Sequence, residues 1–210
     1  MVKPGRQTAI ADARLVGPDG KLYARGSATF MMTALDPDKV PPAPDRDPDA
    51  PRSRTYGWTP PARLASAARR QSGTDYLAAI VAGELPPPTI SDTLDFSFDR
   101  AGGGEAVFSC TPQEFHYNPM GSVHGGLPAT LIDSATGVAV QSELEPGWGF
   151  TTINLVIDYF RAITLETGPL TCPGKVVKPG RRFAVADADL IDEAGTIYAR
   201  GSAGCLKFKF

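Results

Sequence analysis

The chain has 210 residues, of which 42% are hydrophobic and 21% are charged, with a formal net charge of −2. This is enough apolar sequence for one large domain, or for one domain with an extension. The nearly balanced charge gives no general basis for binding nucleic acid or an anionic membrane, so we expect neither as a partner.

The cysteines and the first residues bear on the compartment. Cys110, Cys172 and Cys205 form an odd set without metal-ligand spacing, and free thiols fit a reducing compartment. The first residues lack the apolar core of a signal peptide, and no apolar run approaches the length of a membrane span. We therefore expect a cytoplasmic protein without a metal site.

The first element along the chain is a partial copy of the last one. Residues 2–28 align without a gap to residues 177–203, and 17 of the 27 aligned positions are identical. Each copy has two strand-like runs joined by a turn, GPDG in the first copy and DEAG in the second. No counterpart of the later NPMGSVHGG segment accompanies the first copy. We interpret residues 1–34 as a partial repeat that forms a strand hairpin and has no active site of its own.

A linker and two short helices are predicted next. Residues 35–54 contain six prolines and five aspartates, a composition that cannot build a core. We expect an exposed linker over 35–55 and a complete domain over 56–210. A short helix is predicted over 62–70 and a second over 75–82, with Thr74 as the N-cap of the second helix and Gly83 at its end.

The pattern then changes to strands. TLDFSFD (93–99) and EAVFSCT (105–111) flank a glycine turn, and a helix is predicted over 127–140. Four further strand-like runs follow at 151–160, 168–177, 183–191 and 196–210. Two strands, one long helix and then four strands predict an α+β fold in which an antiparallel sheet surrounds a central helix.

The sixteen residues 118–133, NPMGSVHGGLPATLID, are the most informative stretch. Leu127 and Leu131 lie on one face of the predicted helix, and Pro128 is tolerated only in its first turn, so the helix starts at about Gly126 or Leu127. The free N–H groups and positive dipole end at a helix start can hold a developing oxyanion. Asp133 lies about two turns further on, among apolar neighbours, where a carboxylate is costly unless it has a partner or a function.

Three segments carry a resemblance to a known family: HYNPMGSVHGGLPATLIDSATG, GWGFTTINLVIDYFRAIT and GKVVKPGRRFAVADADLIDEAGTIYARGSAGCLKF. Through them, residues 56–210 resemble the hotdog-fold acyl-CoA thioesterases of the phenylacetate-degradation (PaaI-type) group. The Asn-x5-His-Gly-Gly-x6-Asp spacing is the specific part of the match. The resemblance implies a sheet wrapped on one long helix and hydrolysis of an acyl-CoA to free acid and coenzyme A. It also implies no cofactor, and homodimers or homotetramers with active sites at the dimer interface.

The same resemblance implies a role for individual residues. Asp133 matches the catalytic carboxylate, which activates water or attacks the thioester itself, and Gly125 matches the residue whose backbone N–H polarises the thioester carbonyl. Asn118 and His124 match residues that help to position the carbonyl or the water. Thr152, or Thr151 beside it, lies near the position of a hydroxyl that holds the water in some members of the family. The residues expected to bind substrate are Gly126, Thr151 and the turn that meets the nucleotide end of coenzyme A, namely Lys178, Gly180, Arg181 and Arg182.

Structural alternatives stand beside these roles. Asp133 could be a helix-surface aspartate, His124 a core histidine bonded to backbone, and Asn118 a turn former. The first copy of the repeat also carries VKPGR, so the basic residues of the second copy could be solvated turn charges.

Two other functions occur on this fold. Hydratases and dehydratases place an acidic residue before a histidine at about five residues' spacing, a pattern absent around this helix. A module that binds acyl-CoA without turnover usually lacks the carboxylate that Asp133 supplies here.

Overall fold

A computed structural model describes residues 2–4, 8–31 and 61–210 of the chain, with side chains from 8–31 and 64–210. The chain divides into two compact units, Met1–Pro42 and Ala43–Phe210. The linker expected over 35–55 lies outside the described residues. Within the described parts, no helix is long and apolar enough to cross a membrane.

The first unit contains a small antiparallel sheet. Its strands are β1 (Val2–Pro4), β2 (Thr8–Val16) and β3 (Leu22–Met31), in the order β1-β2-β3. Gly20 closes the turn between β2 and β3 with a φ of +78°, a conformation that favours glycine.

The described part of the second unit begins with three helices, α1 (Pro61–Arg70), α2 (Gly73–Val81) and α3 (Thr89–Leu94). The prediction of Thr74 as the N-cap of α2 is wrong. Ser72 caps the helix, because its Oγ accepts a hydrogen bond from the Asp75 N–H at 3.1 Å. Thr74 Oγ1 instead donates to the Ser142 carbonyl at 2.8 Å, so Thr74 makes a tertiary contact rather than a local one.

The predicted strand over 93–99 begins too early. Thr93 and Leu94 belong to α3, which the sequence did not indicate, and Asp95 ends that helix in the left-handed conformation with φ +56°. A helix of six residues is too short to show a helical period, and TLDFSFD also has the alternation of a strand. The strand itself starts at Phe96.

The predicted α+β hotdog architecture is confirmed. The elements that follow α3 are, in chain order, β4 (Phe96–Gly102), β5 (Glu105–Cys110), α4 (Gly126–Gln141), β6 (Trp148–Tyr159), β7 (Leu170–Lys178), β8 (Phe183–Asp192) and β9 (Ile197–Lys209). The six strands form one antiparallel sheet in the order β4-β5-β7-β8-β9-β6. The sheet packs around α4, the long helix predicted over 127–140.

Small residues bring α4 close to the sheet. Leu131, Ile132 and Ala135 of the helix are fully buried. On the facing strands, a Cβ added at Gly174 would lie 2.5 Å from the Ala135 carbonyl oxygen, and one at Gly201 would lie 2.7 Å from Ile132 Cγ2. These glycines therefore permit a helix–sheet distance that larger residues would not, and they fix α4 on the sheet.

The two copies of the repeat share one strand register. Thr8 lies opposite Met31 in the first unit, and 175 positions later Phe183 lies opposite Leu206. The surroundings of the copies differ. Leu190 of β8 is fully buried, whereas its counterpart Leu15 is 65% exposed within its own unit.

Candidate active site

The loop that leads into α4 is held by Asn118. Its Oδ1 accepts a hydrogen bond from the Met120 N–H at 2.7 Å, and its Nδ2 donates to Ser122 Oγ at 3.1 Å. Gly121 closes the turn with φ +78°. The Asn118 side chain thus acts within its own loop, as in the turn-former alternative, and it fixes the approach to His124.

At the start of α4, two side chains hold the His124–Gly126 segment from opposite sides. The Gly126 N–H donates to His124 Nδ1 at 2.9 Å, so Nδ1 carries no proton in this arrangement. Tyr159 Oη donates to the Gly125 carbonyl oxygen at 2.9 Å. The helix begins at Gly126, where the sequence predicted it.

The Gly125 N–H differs from its neighbour. Among the described residues it donates to no acceptor, whereas the Gly126 N–H is already used by His124. A fixed and unused backbone N–H at a helix start is the geometry that an oxyanion donor requires.

Asp133 is half-buried two turns further along α4. Its Oδ1 is buried and has no hydrogen-bond partner in the part of the chain that the structure describes. Burying a carboxylate oxygen without a partner is unfavourable, so the exceptions often mark a ligand site. Asp133 is therefore not the solvent-facing aspartate of the structural alternative.

Asp133 lines a cavity of about 150 Å³, which we call the near chamber. Its lining is mostly apolar with a few polar groups, and includes Ser91, Phe96, Phe108, Asp133, Phe150 and Thr152. The Ser91 Oγ is also buried without a partner among the described residues. Two unpaired polar atoms thus lie in the walls of one small apolar chamber.

Of the two adjacent threonines, Thr152 and not Thr151 lines the near chamber. Successive strand residues point to opposite faces, and Thr151 is exposed. Thr152 lies opposite Cys205 in the pairing of β6 with β9. The pKa of Cys205 is raised, mainly by burial. A hydrogen bond with the Thr152 hydroxyl lowers this pKa, and the nearby Asp133 charge raises it.

The cysteines do not supply a nucleophile. All three are free and buried. Burial raises the pKa of Cys110 to about 11 and also raises the pKa of Cys172 and Cys205. Since the reactive form of a cysteine is the thiolate, these thiols are inert near neutral pH.

The basic turn between β7 and β8 does not contribute to the near chamber. Lys178, Arg181 and Arg182 are exposed there. The Gly180 N–H donates to the Lys178 carbonyl at 3.0 Å, and a Cβ at Gly180 would collide with the Phe183 carbonyl oxygen. Glycine is therefore required for the shape of this turn.

Comparison with known proteins places the chain in a family. A family profile described as the thioesterase superfamily matches residues 120–202. Acyl-coenzyme A thioesterase 13 of Mus musculus is 30% identical over 114 residues, which cover 50% of this chain and 80% of the relative. A candidate esterase of Halobacterium salinarum is 32% identical over 127 residues, which cover 58% of this chain and 82% of that protein. The chain belongs to the thioesterase superfamily.

Solved structures refine the assignment of this thioesterase. A phenylacetic acid degradation-related protein of Ralstonia eutropha is 26% identical with a TM-score of 0.57, and the match covers 62% of this chain and 98% of that chain. The PaaI protein of Escherichia coli shares the fold. It is 21% identical with a TM-score of 0.54, and the match covers 65% of this chain and 94% of that chain. The protein is thus a hotdog thioesterase of the PaaI type.

The thioesterase contains site residues that the sequence did not indicate. Ser91, Phe150 and Tyr159 come from α3 and β6 and reach the site only through the fold. Ser134 also lines the near chamber. Its position next to Asp133 in the sequence was the one feature that could have indicated this. No group of three His, Cys, Asp or Glu side chains in the described ranges could hold a metal ion.

Replacing Tyr159 with Phe tests whether Tyr159 positions the helix start of the thioesterase. The change removes the hydrogen bond to the Gly125 carbonyl, which is worth about 0.5–1.5 kcal/mol. We expect kcat to fall by about two- to tenfold with little change in KM, measured by thiol release. The matched control is Tyr198→Phe, whose hydroxyl contacts Asp192 at the turn before β9. Equal effects of the two changes would contradict the assignment.

Proposed function

We propose that the protein hydrolyses acyl-CoA thioesters, with Asp133 as the catalytic carboxylate and the Gly125 N–H as the oxyanion donor. The observation that carries this proposal is the unpartnered Asp133 Oδ1 in the wall of an apolar chamber that Thr152 also lines. The relative of Mus musculus described as acyl-coenzyme A thioesterase 13 supports coenzyme A as the thiol of the substrate.

The proposed chemistry follows from these groups. Either Asp133 takes a proton from a water held by the Thr152 hydroxyl while that water adds to the thioester carbon, or Asp133 adds to that carbon directly. The carbonyl oxygen becomes negative as the nucleophile adds, and the Gly125 N–H stabilises it. The carbon–sulfur bond then breaks, and the thiolate of coenzyme A leaves. On the direct route this step leaves an anhydride with Asp133, which water then hydrolyses to the free acid and the restored carboxylate. The reaction needs water but no cofactor.

One copy of the chain does not complete this site. Gly125 and Asp133 are eight residues apart on the helix, a rise of about 12 Å, which is too far for both groups to contact one thioester carbonyl. We infer that the oxyanion donor of each site is Gly125 of a second copy. The proposed active unit is therefore a homodimer or a larger homo-oligomer built from dimers.

The surface that fits this assembly is the outer edge of β6. This strand is last in the sheet order, and within the described chain its outer edge pairs with no strand. Ile153 and Val156 on it are 58% and 56% exposed. Antiparallel pairing of two β6 strands across a two-fold axis would set the Tyr159 end of one copy beside the Thr152 end of the other. Since Tyr159 holds Gly125, this pairing carries the amide toward Asp133.

The nucleotide end of coenzyme A is assigned to the basic turn. Lys178, Arg181 and Arg182 are exposed, and their positive charges can pair with phosphates, for which arginine offers two parallel donors. His124 and Asn118 act through the loop that they hold, and Gly126 through the start of α4. Thr151 points away from the chamber, and its contact with substrate is proposed only across the dimer interface.

A mixing experiment tests the shared site. Asp133→Asn removes the carboxylate, and Gly125→Pro removes the N–H at a residue whose φ of −58° suits proline. Each variant alone is expected to be nearly inactive in a thiol-release assay with acyl-CoA. After equal amounts are mixed and allowed to exchange subunits, random pairing leaves one intact site in each heterodimer, or about a quarter of wild-type activity.

Two outcomes would contradict the proposal in different ways. No recovery on mixing, with heterodimers confirmed by mass spectrometry, would place both groups of each site in one copy. Binding of acyl-CoA by the wild-type protein without thiol release would instead favour a module that senses acyl-CoA.

A further inference from the structure

A second cavity adjoins the near chamber. This far chamber has a volume of about 170 Å³ and is lined by Tyr76, Leu77 and Ile80 of α2, with Phe98 and Gln141 opposite them. Four residues, Pro88, Phe108, Val138 and Phe150, line both chambers. The two cavities therefore adjoin each other along α4.

Phe150, one of the residues shared by the two chambers, packs on a glycine of α4. A Cβ added at Gly137 would lie 2.8 Å from Phe150 Cε2, so the ring rests directly on the backbone of α4. The ring is half-buried and contributes to both chambers. Because the ring lines both chambers, a chain that runs from one chamber into the other passes along it.

The outer wall of the far chamber is firmly attached to the end of α4. The Gly73 N–H donates to the Leu144 carbonyl at 2.7 Å, and Thr74 Oγ1 donates to the Ser142 carbonyl at 2.8 Å. A Cβ at Gly73 would collide with the Gln141 carbonyl oxygen. These contacts hold the first turn of α2 against the end of α4, so α2 forms a fixed wall of the cavity.

The length and chemistry of the combined cavity indicate its occupant. Asp133 and Gln141 are eight residues apart on α4, so the two chambers span about 12 Å. An extended alkyl chain advances about 1.3 Å per carbon, as follows from C–C bonds of about 1.5 Å, so about eight to ten carbons fill that length. Around the far chamber, Tyr76 and Gln141 are the polar residues among the described lining.

We propose that α2 sets the acyl-chain length of this thioesterase, with Ile80 and Leu77 as the residues that end the channel. The preferred acyl groups are then straight aliphatic chains that start at Asp133, pass Phe150 and end against α2, rather than compact aromatic acids that fit the near chamber alone. This inference rests on the proposed hydrolysis of acyl-CoA.

The test is a chain-length series on wild type and on Ile80→Phe. For the wild type, kcat/KM is expected to rise from butanoyl- to decanoyl-CoA by up to about fourfold per methylene, the equivalent of about 0.8 kcal/mol for each buried CH2. Ile80 is 8% exposed and lines the far chamber, so a larger ring at this position fills it. We expect a loss of about tenfold or more with decanoyl-CoA and less than about twofold with butanoyl-CoA.

The matched control is Val81→Phe, on the neighbouring residue of α2. Val81 is 47% exposed and lines neither chamber, so this variant should keep the wild-type chain-length profile. If Ile80→Phe also loses turnover of butanoyl-CoA, Ile80→Ala is tested in its place. The larger far chamber of Ile80→Ala should move the optimal acyl chain to a length about one or two carbons greater.

Several outcomes would overturn the chain-length inference without contradicting the proposed function. These are a wild-type profile that is flat with chain length, an optimum with phenylacetyl-CoA, or a profile unchanged in both Ile80 variants. Absence of thiol release from every acyl-CoA by the wild-type protein would instead remove the proposed function, and the chain-length inference with it.

Discussion

Asp133→Asn is expected to lower kcat by about 10²–10⁴-fold, the usual contribution of a positioned acid–base group. The amide keeps the shape of the side chain but neither accepts a proton readily nor acts as a nucleophile. Because Asp133 Oδ1 has no hydrogen-bond partner among the described residues, the change should leave the free energy of unfolding unchanged or slightly higher. Activity is measured by thiol release, and stability by urea unfolding.

The matched control is Asp187→Asn on β8, where the aspartate is exposed to solvent and lines neither chamber. It should retain wild-type kcat. Activity of Asp133→Asn within about twofold of wild type would remove Asp133 from the chemistry. A drop in activity together with a large loss of stability would assign it a structural role instead.

The same site allows the two roles of Asp133 to be separated. In a single turnover in H2¹⁸O, a general base places the label in the free acid. A direct attack forms an anhydride with Asp133, and water that opens it at the aspartyl carbon leaves the label in the protein. Label found by mass spectrometry in the peptide that contains Asp133 would establish the direct route, because a general base leaves that peptide unlabelled.

Leu131→Ala is expected to destabilise the protein by about 2–5 kcal/mol, the range for a buried leucine that leaves a cavity. Leu131 is 0% exposed in the middle of α4, where the close helix–sheet packing gives the surroundings little room to collapse into the space. The denaturation midpoint in urea should fall with little change in slope.

The control for this change is the same substitution at Leu165, which is 41% exposed in a short 3₁₀ turn. It should alter the free energy of unfolding by no more than about 0.5 kcal/mol. Similar losses at Leu131 and Leu165 would show that the core around α4 is not the main source of stability.

Much of the fold could be predicted because its strongest signals are local. The start of α4 at Gly126 follows from Pro128 in a first turn and from apolar residues at helical spacing. The predicted cap at Thr74 failed because a hydroxyl can bond to any nearby carbonyl, and the Ser142 carbonyl of a distant segment was available. Helix α3 was missed because six residues do not show a period.

The residues of the candidate site also divide into those with local contacts and those that meet only through the fold. Asn118 and His124 have partners within four residues, so their contacts depend on local geometry alone. Ser91 and Phe150 reach Asp133 from α3 and β6, and Tyr159 reaches Gly125 across 34 residues. No spacing in the sequence could indicate these meetings, because they depend on how the sheet curves around α4.

The sequence alone determined that a glycine amide begins a buried helix and that a carboxylate follows two turns later, because helix geometry converts residue spacing directly into position. It also indicated that the two copies of the repeat form the same kind of hairpin, since 17 of their 27 aligned residues are identical. Only the tertiary structure decided which side chains enclose Asp133 and that α2 closes a second chamber beyond Phe150. Those walls come from separate helices and strands, and their meeting depends on packing against small residues such as Gly137 and Gly174.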